Sequence, residues 1–404
     1  MKTFPLALTF FSALLLFTGC PGTDDEDLLV LDVPETYNFT RAGASTVSFV
    51  GQTTRIAMAE ELANALLDPT TGLDQLNALF RNPADADPFM DAELNESTKS
   101  LRSKVAASSV LFGTAADRTA AIRTDFDGWL SGQATEVFPA WNEVAAPGQA
   151  GQIADGGSVR YVNGWGLEYN QAFTKALIGA LMFDQVANNY LAPAVLDAGT
   201  ARTDNEAEVL EGDNNYTYME HRWDEAFGYV FGASATPATP LDDLETADGF
   251  LNKYLGRVEN DPDFAGIAAA VEQDFRTGRQ AIVQNAWEER DRAASTLREN
   301  LGRVLMIRAV YYLKQGEANL RAVPVRRGAA FHDLSEGYGF VYSLRFLRDD
   351  GDAVRDWSSI SDDLLTALRN ADGEGWWDID PAVLAELAEQ IATEGGFSVT
   401  AAAN

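Results

Sequence analysis

Apolar residues recur at intervals of three and four positions along most of the chain, from about residue 53 onward. This spacing places them on one face of an α-helix, so the pattern predicts a series of amphipathic helices. Thr53 and Thr54 are suited to cap a first helix that begins near Arg55. Other helical patterns are "STKSLRSKVAASSVLF", "RTAAIRTDFDGWLSG", "YNQAFTKALIGALMFDQVANNYLA" and "DPAVLAELAEQIATE".

The longest helical pattern follows Pro262 and continues to about residue 320 without another proline. Its length predicts two long helices, with a bend between residues 280 and 300. Strand-like alternation is scarce. We expect "ASTVSFVG" (44–51) to be a short extended entry segment, and "APGQAGQIADGGS" (146–158) to be a loop.

These patterns predict an all-α fold with very little β-structure, built as two helical bundles. The proline-containing stretch "GASATPATPLDD" (232–243) reads as a linker between them. We therefore divide the chain into a first helical half, residues 37–235, and a second helical half, residues 236–404.

The N-terminus predicts export. Lys2 and the apolar run "FPLALTFFSALLLF" are typical of a signal peptide over residues 1–19, and the run is too short for a dependable membrane span. The following "TGC" resembles the bacterial lipobox, in which the signal is cut before the cysteine. Acyl chains on Cys20 would anchor the protein to a membrane, and residues 20–36 would form an acidic tether. The alternative is an ordinary signal peptide with a chance cysteine.

The charge balance excludes one class of partner. The formal net charge is −31, which argues against binding nucleic acid. Because Cys20 is the only cysteine, an intramolecular disulfide is impossible.

The two histidines of the chain head two similar stretches, "HRWDEAFGYVF" from His221 and "HDLSEGYGFVY" from His332. Eight of the eleven aligned positions are identical or closely alike. We interpret this likeness as an internal duplication with a separation of 111 residues.

Helix geometry places His221, Glu225 and Gly228 on one stripe of the first stretch. The equivalent stripe of the second stretch carries His332, Glu336 and Gly339. Three interpretations stay open at this point. Each His–Glu pair is structural; or the pairs bind a metal ion, with Asp224 as an added ligand in the first copy; or they act in general acid–base catalysis.

Other polar residues lie on apolar helices and could support such a site: Asp184, Asn188, Glu168 and Arg308. No phosphate-binding loop, dinucleotide glycine pattern, nucleophile elbow or H-E-x-x-H motif is present. Whether the protein is an enzyme is therefore uncertain, and a binding function is favoured.

The stretches "VPETYNFT", "VSFVGQTTRIAMAEEL", "LEYNQAFTKALIGALMFDQVANNYL" and the two histidine motifs resemble the bacterial domain-of-unknown-function family 4856. The resemblance implies an envelope lipoprotein. The chain is also similar to the imelysin-like proteins, which are duplicated helical bundles associated with iron or haem uptake. Imelysins carry His-x-x-Glu, whereas here Asp224 and Ser335 occupy that position.

The resulting expectation is an outer-membrane lipoprotein, facing the periplasm or the cell surface, that binds a ligand or metal ion within an iron or haem uptake system. A divalent metal or iron is the expected cofactor. Two alternatives are a structural or interaction lipoprotein that partners an outer-membrane transporter, and an imelysin-like hydrolase.

Overall fold

A computed structural model describes residues 31–349 and 355–404 of the chain. The signal peptide predicted for residues 1–19, Cys20 and most of the acidic tether lie outside the described residues. Within them the fold is all-α apart from two short hairpins, as the periodicity predicts.

The described residues contain sixteen α-helices. They are α1 (Val50–Ala65), α2 (Leu73–Arg81), α3 (Ala92–Asn95), α4 (Ser109–Phe112), α5 (Ala116–Gly132), α6 (Tyr169–Leu177), α7 (Pro193–Leu196), α8 (Ala201–Glu206), α9 (Tyr218–Phe231), α10 (Leu251–Glu259), α11 (Ile267–Val283), α12 (Trp287–Arg321), α13 (Arg327–Ser343), α14 (Trp357–Arg369), α15 (Pro381–Gly395) and α16 (Val399–Ala402).

The two long helices predicted after Pro262 are confirmed. They are α11 and α12, which are 17 and 35 residues long. The break falls at Asn285, whose φ of 57° is left-handed and cannot continue a right-handed helix. The bend is therefore a complete interruption of a few residues and lies inside the predicted interval.

The start of α1 differs from the prediction by about one turn. The helix begins at Val50 instead of near Arg55. Thr53 and Thr54 do not cap it, because both hydroxyls donate to the carbonyl of Val50 from inside the first turn. The predicted extended segment is shortened accordingly, and only Ala44–Ser45 (β2) pairs with Thr40–Arg41 (β1).

The segment at 146–158, expected to be a loop, contributes a strand. Gly151–Asp155 (β3) pairs antiparallel with Ser158–Val162 (β4). Gly156 and Gly157 form the two-residue turn, and Gly156 has a φ of 57°. A Gly-Gly pair between two strands is a hairpin signal, so the glycines that suggested a loop specify the turn.

The helices pack around one continuous apolar core. The long helix α12 packs against α11, α13 and α15, while α13 also packs against α6, and α9 packs against α1 and α11. Helices on either side of residue 235 therefore pack against each other, namely α9 against α11 and α6 against α13. The division into two halves stays a prediction. No helix in the described ranges combines the length and the apolar character that a membrane span requires.

The packing of α9 on α11 generates a test. A Cβ on Gly278 would overlap the indole of Trp223, which is held by its Nε1–H donating to the carbonyl of Phe275 at 2.9 Å. We expect Gly278→Ala to lower the free energy of unfolding by about 1–3 kcal/mol in urea denaturation. The matched control is Gly128→Ala in α5, where a Cβ meets nothing within 4 Å; it should stabilise by about 0.5–1 kcal/mol. Equal effects of the two substitutions would contradict the packing.

Candidate functional site

The first motif helix, α9, is fixed at its N-terminus by a capping box. The hydroxyl of Thr217 accepts from the N–H of Glu220, and the Glu220 carboxylate accepts from the N–H of Thr217. These bonds satisfy two N–H groups that the helix leaves unpaired. Trp223 and Phe227 are fully buried, so α9 is the buried helix that its aromatic pattern indicates.

Asp224, a predicted metal ligand, lies in a buried ion-pair network. Its Oδ1 accepts from the Tyr37 hydroxyl at 2.7 Å and from Arg279 Nε at 3.0 Å, while its Oδ2 accepts from the N–H of Ser48 at 3.2 Å. Arg279 also reaches Glu220 at 3.1 Å. Buried charges need such partners, so the network accounts for the burial of Asp224 without a metal ion.

His221 does not pair with Glu225 one turn further along the helix. Its Nδ1 lies 2.8 Å from Glu211 in the preceding loop, and its ring centroid lies 4.4 Å from that of Tyr216. Glu225 instead accepts from Gln52 of α1 at 2.9 Å. His221 and Glu225 therefore each have a partner outside α9, and the role of the pair stays a prediction.

Cations and tyrosines surround Glu225. Arg222 forms an ion pair with it. Burial, together with the charges of Arg55 and Arg222, lowers the pKa of the nearby Lys104 ammonium, although the charge of Glu225 acts to raise it. The buried hydroxyl of Tyr229 has no hydrogen-bond partner among the described residues. The first motif carboxylate is thus already neutralised by protein cations.

The second motif repeats this arrangement with different residues. His332 Nδ1 lies 2.9 Å from Glu168, and Glu336 pairs with Lys175 of α6 at 3.3 Å. Tyr254 donates to Glu336 at 3.4 Å. Although burial acts to raise it, the pKa of Glu336 is lowered to about 2, because Lys175 and His332 favour the carboxylate. His332 thus hydrogen-bonds Glu168, which the sequence marked only as a supporting residue, while Glu336 pairs with Lys175.

Aligned positions of the two motifs make corresponding backbone contacts. Asp224 accepts from the N–H of Ser48, two residues before α1 begins. Ser335, its aligned counterpart, accepts from the N–H of Glu168, directly before α6 begins. Each motif helix is therefore tied to the N-terminal end of another helix by the same position of the motif.

The glycines correspond as well. A Cβ on Gly228 would overlap Phe49 at the start of α1, and a Cβ on Gly339 would overlap Lys175 in α6. On the other side, Trp223 packs on Gly278 of α11, and its counterpart Leu334 packs on Gly316 of α12. The glycines of the motifs thus permit close helix approach.

Sequence separations show how these contacts are arranged along the chain. Ser48 and Glu168 are 120 residues apart, His221 and His332 are 111 apart, but Gly278 and Gly316 are only 38 apart. A single tandem repeat does not produce all three separations. An internal duplication stays a prediction.

The structure does not assemble the predicted His₂Glu₂ metal set. The two histidines have separate glutamate partners, and residues 31–349 and 355–404 contain no group of three or more His, Cys, Asp or Glu side chains that could hold a metal ion. Asp184 and Asn188 bond to each other at 3.2 Å, to Ser108 and to the carbonyl of Phe346. These two supporting residues join helices inside the core.

Arg308, the remaining supporting residue, lines a pocket of about 280 Å³ together with Arg257 and Tyr311. Its guanidinium lies 4.0 Å from the ring centroid of Tyr311 and 4.7 Å from that of Tyr312. Arg257 donates to the Tyr312 hydroxyl at 3.4 Å, and Tyr254, whose ring centroid lies 5.7 Å from the Arg308 guanidinium, donates to Glu336. A polar path therefore connects this pocket to the second motif.

Sequence reasoning missed Lys175, Arg257 and Arg279. Lys175 is a cation beside the apolar run "ALIGALMF", and that is the signal that could have drawn attention to it, whereas Arg257 and Arg279 lie in helices of mixed polarity. Their partners come from distant parts of the chain and could not be identified from one sequence.

A sequence profile described as "Domain of unknown function (DUF4856)" matches residues 34–398, nearly the whole chain. This confirms the family resemblance inferred from the motifs. No match was found among curated proteins or among solved structures. The imelysin-like architecture therefore stays a prediction.

The His332–Glu168 pair predicts a pH-dependent stability. Burial acts to lower the pKa of His332, but the hydrogen bond and charge of Glu168 raise it above the ordinary value. The protonated pair should therefore stabilise the fold fully below about pH 6.5, the pKa of an unfolded histidine, and lose this contribution as pH rises through the folded pKa. We expect His332→Gln to be more destabilising at pH 5.5 than at pH 9 in urea denaturation. In a Glu168→Gln background this difference should shrink; a pH-independent cost would contradict the pairing.

Proposed function

The chain belongs to the DUF4856 family, and we propose that it is an envelope lipoprotein that binds a small carboxylate ligand in the pocket lined by Arg257 and Arg308. The proposal keeps the expected ligand-binding role and changes the chemistry of the ligand from a cation to an anion.

Arg308 is the observation that carries the proposal. The residue is only 5% exposed. Its buried Nε–H meets no acceptor in residues 31–349 and 355–404, and no carboxylate in that part of the chain forms an ion pair with it. A buried, unpaired cation is costly, so a site that keeps one is suited to an anion supplied from outside.

The other lining residues limit the ligand. Arg257 pairs with Glu245 at 3.3 Å, and Glu245 and Asp261 both border the pocket. These carboxylates would repel a second negative charge near the first. The pocket therefore favours a small ligand with one carboxylate, which a guanidinium binds through two parallel hydrogen bonds.

A bare metal ion suits the motifs less well. Glu225 and Glu336 are paired with Arg222 and Lys175, and a divalent ion would have to displace these cations. A role in iron or haem uptake therefore requires that a carboxylate of the iron complex, and not the ion, contact the protein. A partnership with an outer-membrane transporter remains compatible with this role.

Calorimetry and ligand-detected NMR can measure the binding of acetate, propionate and succinate at constant ionic strength. We expect propionate to bind, and Arg308→Lys to weaken it about tenfold or more, because lysine keeps the charge but loses the paired hydrogen bonds. Arg303→Lys is the matched control on the same helix, since the Arg303 guanidinium stacks on Phe264 and Phe397. It should bind like the wild type.

Unchanged binding in Arg308→Lys would overturn the proposal. So would stoichiometric binding of Zn²⁺ or Fe²⁺ that is lost in His332→Ala, because that result restores the metal function. Absence of any carboxylate binding would favour the structural or interaction lipoprotein instead.

Membrane anchoring is part of the proposal and rests on the sequence pattern around Cys20. We expect the full-length protein to fractionate with membranes and to incorporate an alkyne-labelled fatty acid. Cys20→Ser should abolish the label and release the protein from the membrane fraction, with its helical circular dichroism unchanged. Persistent labelling of Cys20→Ser would show that another residue is acylated.

A further inference from the structure

A second groove, far richer in carboxylates, lies along α1. Its volume is about 680 Å³, within the range of small-molecule sites. Apolar side chains line part of it, including those of Phe49, Ile56 and Leu94. Four carboxylates also line it: Glu60, Glu61, Asp91 and Asp248. None of the described residues that line the groove is a lysine, arginine or histidine.

Three of the four carboxylates already serve the local fold. Glu60 accepts from the N–H of Gly249 at 2.6 Å. Glu61 accepts from the N–H groups of Met90 and Asp91 at 2.7 and 2.9 Å, and Asp91 caps the helix that follows it. These bonds fix the carboxylates at the rim but leave their negative charge uncompensated by any side-chain cation of the groove.

Asp248 differs from the other three. It is only 8% exposed. Its Oδ1 accepts from the N–H of Phe250 at 2.7 Å, but its Oδ2 is buried and has no hydrogen-bond partner in the described part of the chain. Burial, reinforced by the charge of Glu60, raises the pKa of Asp248 to about 7, against the opposing effect of the backbone N–H groups of Phe250, Asn252 and Lys253. A buried carboxylate oxygen without a donor is costly, and a donor entering the groove would remove that cost.

We propose that this groove binds a small organic cation, an ammonium group on an apolar body, with the ammonium at Asp248 and the apolar body against Phe49, Ile56 and Leu94. The ammonium supplies the missing donor to Asp248 Oδ2 and balances the surrounding carboxylates. The apolar side chains bury the body, and each methylene group removed from water contributes about 0.8 kcal/mol.

The chemistry of the groove disfavours a metal ion. A divalent ion requires several free oxygen or nitrogen ligands, and the described residues provide no cluster of three or more such side chains. An ion would also leave the apolar surface of Ile56 and Leu94 without a contact. An amphiphilic amine matches both the charged and the apolar parts of the lining.

The test compares three probes of equal apolar size, hexylammonium, hexanol and hexanoate, by calorimetry and ligand-detected NMR at pH 8, where Asp248 is mainly ionised. We expect hexylammonium to bind at least tenfold more tightly than hexanol, and hexanoate not to bind at this groove. Asp248→Asn preserves the shape and should weaken hexylammonium about tenfold. The matched control, Asp117→Asn, removes an exposed carboxylate of α5 and should leave binding unchanged.

A second variant, Ala57→Phe, fills the groove from α1 and should abolish binding even if Asp248→Asn alters the local fold. Equal binding of hexylammonium to the wild type and both groove variants would overturn the proposal, as would equal binding of hexanol and hexylammonium. Arg308→Lys should not affect hexylammonium, so failure of the carboxylate site and failure of this groove are distinguishable.

Discussion

The position of the first motif helix depends on one buried guanidinium. Arg279 is fully buried and pairs with Glu220 and Asp224 on successive turns of α9. Its third donor reaches Thr46 of the entry segment at 2.9 Å, and its guanidinium lies 4.8 Å from the ring centroid of Phe39. Breaking such a buried pair typically costs about 3–5 kcal/mol. The entry segment, α9 and α11 are therefore fixed as a unit, which also determines where His221 and Glu225 point.

Several cations are buried in the interior although the chain as a whole is strongly acidic. The formal net charge is −31, yet Arg279 and Arg290 are completely buried and Lys175 is 8% exposed. Carboxylates from distant segments neutralise these three. Arg308 has no such carboxylate partner in the described part of the chain. Conversely, the carboxylates that line the groove along α1 have no side-chain cation of the groove beside them. Net charge argues against nucleic acid as a partner, but it does not predict these local sites, because each depends on which side chains the fold leaves unpaired.

Periodicity predicted the long helices because each apolar stripe must be buried, and the all-α fold, α11 and α12 follow from it. It was wrong for "STKSLRSKVAASSVLF", of which only Ser109–Phe112 (α4) is helical. The partners of the motif side chains could not be predicted from this periodicity. A turn of helix allows His332 to reach Glu336, but Lys175 competes for that carboxylate and Glu168 competes for the imidazole. Both competitors lie more than 150 residues away in sequence, as the separation of 164 between His332 and Glu168 illustrates. Spacing within a helix gives possible partners, and tertiary packing selects among them.

The two motifs share their contacts but differ in chemistry, and the difference points to the second. At the aligned positions, Asp224 pairs with the buried Arg279, whereas Ser335 makes neutral hydrogen bonds to the N–H of Glu168 and to the carbonyl of Phe331. The first motif is thereby committed to holding the entry segment. In the second motif, Glu336 pairs with Lys175 and is linked through tyrosine side chains to the pocket lined by Arg257 and Arg308. Because Glu336 lies next to the tyrosines that border this pocket, the second motif is the better place to look for the ligand of the proposed function.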